Sequence, residues 1–95
     1  MTSSVGINND ARLNFFDITP NPSKGILKLN VVSTNSNELK LQVIDQLGKI
    51  VLEREFIGTN NKVSDELNLS SLPKGIYFIR AEMGDASETK KVVIE

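Results

Sequence analysis

From Leu13 onward, apolar and polar residues alternate with a period of two through most of the chain. That period predicts β-strands, whose side chains point to opposite faces in turn. A first apolar cluster of Phe15, Phe16 and Ile18 breaks off at Thr19-Pro20-Asn21-Pro22-Ser23-Lys24-Gly25. Proline fixes φ and has no N–H to donate, so this stretch is a rigid turn. In the strand expected over Ile26–Val32, Leu27, Leu29 and Val31 share one face, with Lys28 and Asn30 on the other. After a polar loop at 33–37, Leu39, Leu41 and Val43 alternate with Lys40 and Gln42. Asp45-Gln46-Leu47-Gly48-Lys49 suits a type I turn closed by a left-handed glycine and a bulge, which joins antiparallel strands. It leads into a fourth strand over Ile50–Ile57, followed by a loop at 58–61.

A fifth strand is expected over 63–69, with Val63, Leu67 and Leu69 in phase. Asp65 interrupts that phase, which predicts a short or late-starting strand. A corner at 70–75 precedes the most strand-like segment, 76–83, where Tyr77, Ile79 and Ala81 share one face and Ile76 and Phe78 the other. A turn at 84–87 leads to a last strand over 89–95, with Val92 and Ile94 in phase and Val93 opposed. No helical period occurs. Seven short strands at regular spacing predict an all-β fold, an immunoglobulin-like sandwich of two antiparallel sheets, with a small open barrel as the alternative. The Cys and Trp marks of antibody domains are absent.

Composition narrows the function classes. The 95 residues suffice for one domain and one core. Eleven basic and twelve acidic residues give a net charge of −1, so no global field attracts nucleic acid or an anionic membrane. With neither Cys nor His, the chain has no disulfide, no thiolate or imidazole zinc ligand and no imidazole base. No apolar run is long enough to span a membrane as a helix. The segment 1–12 is small and polar and lacks the plan of a signal peptide. It reads as a linker or lead-in, with the folded domain over 13–95.

Candidate chemistry is sparse. The serines have no base beside them. Asp65 and Glu66 are adjacent on a strand and therefore face apart. Asp45, Asp85 and Glu88 lie in or beside turns, without EF-hand spacing, and read as solvated turn acids. Glycan binding calls for exposed aromatic platforms, whereas Tyr77, Phe15 and Phe16 are expected in the core. Lys49, Lys74, Lys90 and Lys91 read as solvated caps and edge protection, with Lys90-Lys91 also able to meet a partner. Asn68-Leu69-Ser70 has the glycosylation pattern, with no other feature supporting that use. No cofactor is implied, and the residues alone indicate a non-enzymatic module that is structural or is itself recognised.

Three ordered segments carry a resemblance. They are Pro20-Asn21-Pro22 with Gly25; Leu41-Gln42-Val43-Ile44-Asp45-Gln46-Leu47-Gly48-Lys49-Ile50-Val51; and Leu69-Ser70-Ser71-Leu72-Pro73-Lys74-Gly75-Ile76-Tyr77-Phe78-Ile79 followed by Lys90-Lys91-Val92-Val93-Ile94. Together they resemble the C-terminal sorting domain, type A, of the bacterial type IX secretion system, over about residues 13–95. The resemblance implies a non-catalytic label on the C-terminal side of a cargo. The cargo would cross the periplasm, be directed through an outer-membrane translocon and be freed at the cell surface by a sortase-like peptidase. The cut would fall in or before 1–12. The resemblance makes Pro20, Asn21, Pro22, Gly25, Asp45, Gly48, Gly75, Tyr77, Lys90 and Lys91 the motif and recognition candidates. Two competing classes are an adhesive or spacer sandwich retained on the mature protein and a carbohydrate-binding accessory module.

Overall fold

The computed structural model describes residues 13–33 and 36–95. They form seven strands: β1 Phe15–Thr19, β2 Ile26–Val32, β3 Glu38–Ile44, β4 Ile50–Ile57, β5 Lys62–Asn68, β6 Gly75–Met83 and β7 Ala86–Ile94. The segment 1–12, expected to be a linker, lies outside the described residues.

The strands pair antiparallel in two sheets, one ordered β1-β2-β5 and the other β4-β3-β6-β7. In immunoglobulin constant domains the fourth strand lies beside the fifth. Here β4 instead joins β3 through the tight turn between them, which makes a sandwich of three strands on four. The inner faces supply one core. Leu27, Leu29 and Val31 from β2 meet Leu39, Leu41 and Val43 from β3 and Tyr77, Ile79 and Ala81 from β6, all buried.

The turns follow from their sequences. Gly48 has φ +85° and donates its N–H to the Asp45 carbonyl at 3.0 Å, with a bulge beside it at Val43/Ile44. Asn60 and Asn61 both have positive φ, and Thr59 and Lys62 exchange backbone hydrogen bonds around them. This is the pair of left-handed residues that a two-residue hairpin turn requires.

Three expectations are corrected. Strand β5 runs from Lys62 to Asn68, neither late nor truncated. Asp65 is opposite buried Leu29 in the register, in core phase, yet exposed because β5 is an edge strand. Strand β7 begins at Ala86, three residues before expectation, because Gly84 at φ +60° lets the chain reverse within two residues. Phe15 is 52% exposed and opposite Val32 on an outer face, since Phe16 and Ile18 hold the inward phase of β1.

Three sheet edges carry a charged residue at a core-phase position. Arg54 on β4 is opposite Leu41, Asp65 on β5 opposite Leu29, and Lys90 on β7 opposite Ile79. A charge in the core phase of an edge strand makes it costly for another sheet to add there.

Candidate recognition site

The prolines of the opening motif deliver Asn21 and Ser23 to the free edge of β7. The Asn21 side chain donates Nδ2–H to the Lys91 carbonyl at 3.0 Å and accepts the Val93 N–H on Oδ1 at 2.9 Å. An amide presents a donor and an acceptor side by side, so it imitates one strand residue. The main chain then continues the pairing. Ser23 N–H donates to the Val93 carbonyl at 2.9 Å, and Glu95 N–H donates to the Ser23 carbonyl at 2.8 Å. Ser23 thereby makes a parallel bridge to Ile94. Its buried hydroxyl accepts the Gly25 N–H at 3.0 Å. Both prolines follow cis peptide bonds.

Gly25 has φ +112°, where a side chain is strained. A Cβ there would also lie 2.7 Å from the Ser70 Cα. The glycine allows the start of β2 to pass against the β5–β6 corner. Asn68 shapes that corner, accepting the Ser70 N–H at 2.9 Å and the Ser70 hydroxyl at 2.6 Å. At the far end of the corner, Tyr77 donates its hydroxyl to the Pro73 carbonyl at 2.6 Å. A tyrosine near the start of the sixth strand that bonds back to the corner before it is the tyrosine corner of immunoglobulin-like sandwiches.

Asp45 caps its own turn. Its Oδ1 accepts the Leu47 N–H at 2.9 Å and the Lys49 N–H at 3.0 Å. This turn and the start of β6 line one shallow depression, made by Asp45, Gln46, Leu47, Lys74, Gly75, Ile76 and Tyr77. The three segments singled out in the sequence therefore meet. The second and third share this depression, and the first is hydrogen-bonded to the same end of β7.

The two adjacent lysines have different surroundings. Lys90 points inward, its Nζ 5.8 Å from the centre of the Phe16 ring in the other sheet. Lys91 points outward and is exposed, and its carbonyl is the one held by Asn21. Of the sequence candidates, Gly25, Asp45, Gly48 and Tyr77 set the backbone, Asn21 fastens β7, and Lys91 offers a charge to solvent.

Sequence reasoning missed Ser23, and it missed a row on the outer face of the four-stranded sheet. In register, Ile50, Ile44, Phe78 and Lys91 run side by side across β4, β3, β6 and β7. The next row, Glu53-Gln42-Arg80-Thr89, is polar, and Gln42 donates to the Glu53 carboxylate at 3.1 Å. The signal was the apolar residue on both faces of Ile76-Tyr77-Phe78-Ile79. Among the described residues, no three acidic side chains converge to hold a metal ion. Asp65 and Glu66 diverge, with Glu66 beside Lys28 on the outer face.

No curated protein matches the chain. The family model described as secretion system C-terminal sorting domain matches residues 17–95. That match begins in β1 and takes in the Asn21 clip, the Asp45 turn, the tyrosine corner and β7, so the chain belongs to the type IX secretion C-terminal sorting domains.

Proposed function

We propose that residues 13–95 act as a folded, non-catalytic address label for a cargo joined on their N-terminal side. An outer-membrane translocon reads the label after the cargo has crossed the periplasm. A sortase-like peptidase then cuts in or before residues 1–12 and leaves the cargo at the cell surface. The observation that carries the reading is the family match over 17–95 together with the fastening of β7 by Asn21 and Ser23. Family membership supports the export signal. The fastening supports a label read in its folded form, because the last strand is held from both sides and not left as a loose tail.

The recognised surface in this reading includes the last hairpin, Gly75 to Glu95, with Lys91 as its exposed charge. Tyr77, Gly25, Asp45 and Gly48 act by shaping it. The test is a reporter joined to residues 1–95 and followed by mass spectrometry of material at the cell surface. The expected product is reporter that has lost the sandwich. Surface reporter that keeps residues 13–95 intact would rule out removal.

A further inference from the structure

The outer face of an antiparallel sheet facing water is normally polar. The four-stranded sheet keeps that rule over its middle rows and breaks it at the end beside the Asp45 turn. There Ile50 is 47% and Phe78 37% exposed, and Leu47, at the tip of the turn, is 92% exposed. Ile76 and Val93 are cross-strand partners in the adjoining row. Contiguous exposed apolar surface of this kind, rimmed by charge, marks a contact site.

The rim is basic. Lys91 is opposite Phe78 in the register, Lys49 precedes Ile50, and Lys74 lines the depression with Leu47. Among the described residues three acids border this end, and Glu53, in the next row, accepts from the Gln42 amide at 3.1 Å. Asp45 turns its carboxylate to two backbone N–H groups of its own loop. Glu95 follows Ile94 past the last pair of the hairpin. A second copy docking here would bring lysines against lysines, which is unfavourable at an interface.

We propose that this end of the sheet is the docking surface for a protein of the export machinery, one with an apolar centre and carboxylates around it. The proposal rests on the sorting reading above and extends its recognised surface from the last hairpin to the Asp45 turn. Phe78 and Leu47 are the anchors, and Lys49, Lys74 and Lys91 orient the partner.

The test uses a reporter that reaches the periplasm by its own N-terminal signal, joined to the whole chain, in a host with the secretion system and in one lacking it. Three variants are compared with the unaltered chain: Leu47→Ser with Phe78→Thr, Lys49→Glu with Lys74→Glu, and a control on the other sheet, Lys28→Glu with Lys62→Glu. Thermal melts establish folding. The lysine pair is fully surface-borne and keeps the test alive if the apolar pair unfolds. The expected result is about a tenfold or greater loss of surface reporter for both patch variants, with the control at the unaltered level. Folded patch variants that export as well as the unaltered chain would overturn the proposal and leave the sorting reading standing. Sedimentation showing a dimer that both patch variants dissolve would also overturn it, in favour of a second copy. Equal export of the unaltered chain from both hosts would remove the sorting reading, and the proposal with it.

Discussion

The Asn21 carboxamide accepts the Val93 N–H at 2.9 Å from a residue 72 positions away. With its bond to the Lys91 carbonyl, it ties the turn after β1 to the last strand. The turn thus closes the gap between the two sheets on the β1–β7 side. Replacing Asn21 by Ala removes both bonds at an exposed site, an expected loss of about 1–2 kcal/mol. In a domain of this size that lowers Tm by roughly 4–16 °C. Asn21→Asp keeps the acceptor, loses the donor and should fall between. Calorimetry checks both, and an Asn21→Ala variant that melts with the parent would remove the clip from the account.

Two glycines with positive φ make a paired test. Gly48→Ala meets nothing within 4 Å, so only the left-handed backbone is strained, at about 1–2 kcal/mol. Gly25→Ala adds a collision with the Ser70 backbone to a comparable strain. Gly25→Ala should therefore be the more damaging by at least about 1 kcal/mol in urea unfolding. Equal losses would mean that the close approach at Ser70 is not a constraint.

Tyr77→Phe keeps the ring in the core and deletes the hydroxyl that reaches Pro73. The expected cost is about 1 kcal/mol, with export of a folded variant unchanged. A large export defect at full stability would instead make Tyr77 a contact residue.

Lys90→Ile removes a half-buried charge from the core phase of β7. Stability should hold or rise, while protection of that edge is lost. The expected signature is a Tm at or above the parent with more concentration-dependent association by light scattering. Lys91→Ala should change neither, because only its backbone is engaged.

The period of two was enough to place the strands, because each buries one face against the same core. Leu27, Leu29 and Val31 lie inside as their alternation requires. Alternation alone could not say that β5 is an edge strand, so Asp65 read as a break when it is an exposed residue in core phase. Nor could it separate Phe15 from Phe16 without the phase set by Ile18. The candidate site was legible as pieces, since turn residues advertise their geometry locally. Their convergence was not, because Asn21 meets Lys91 and Val93 only once both sheets have formed. The apolar row Ile50-Ile44-Phe78 was hidden for the same reason: each member belongs to a different strand, and only the register lines them up.

In the proposed reading, the folded chain is the label that carries a periplasmic cargo across the outer membrane. The most direct measurement takes one reporter that reaches the periplasm by its own N-terminal signal, joins it on the N-terminal side of residues 1–95, and places it in a host with the type IX machinery and in an otherwise identical host without it. Surface reporter is then quantified by protease accessibility on intact cells. The expected result is reporter at the surface in the first host and reporter held in the periplasm in the second. Retention in both hosts, with the sandwich folded, would contradict it.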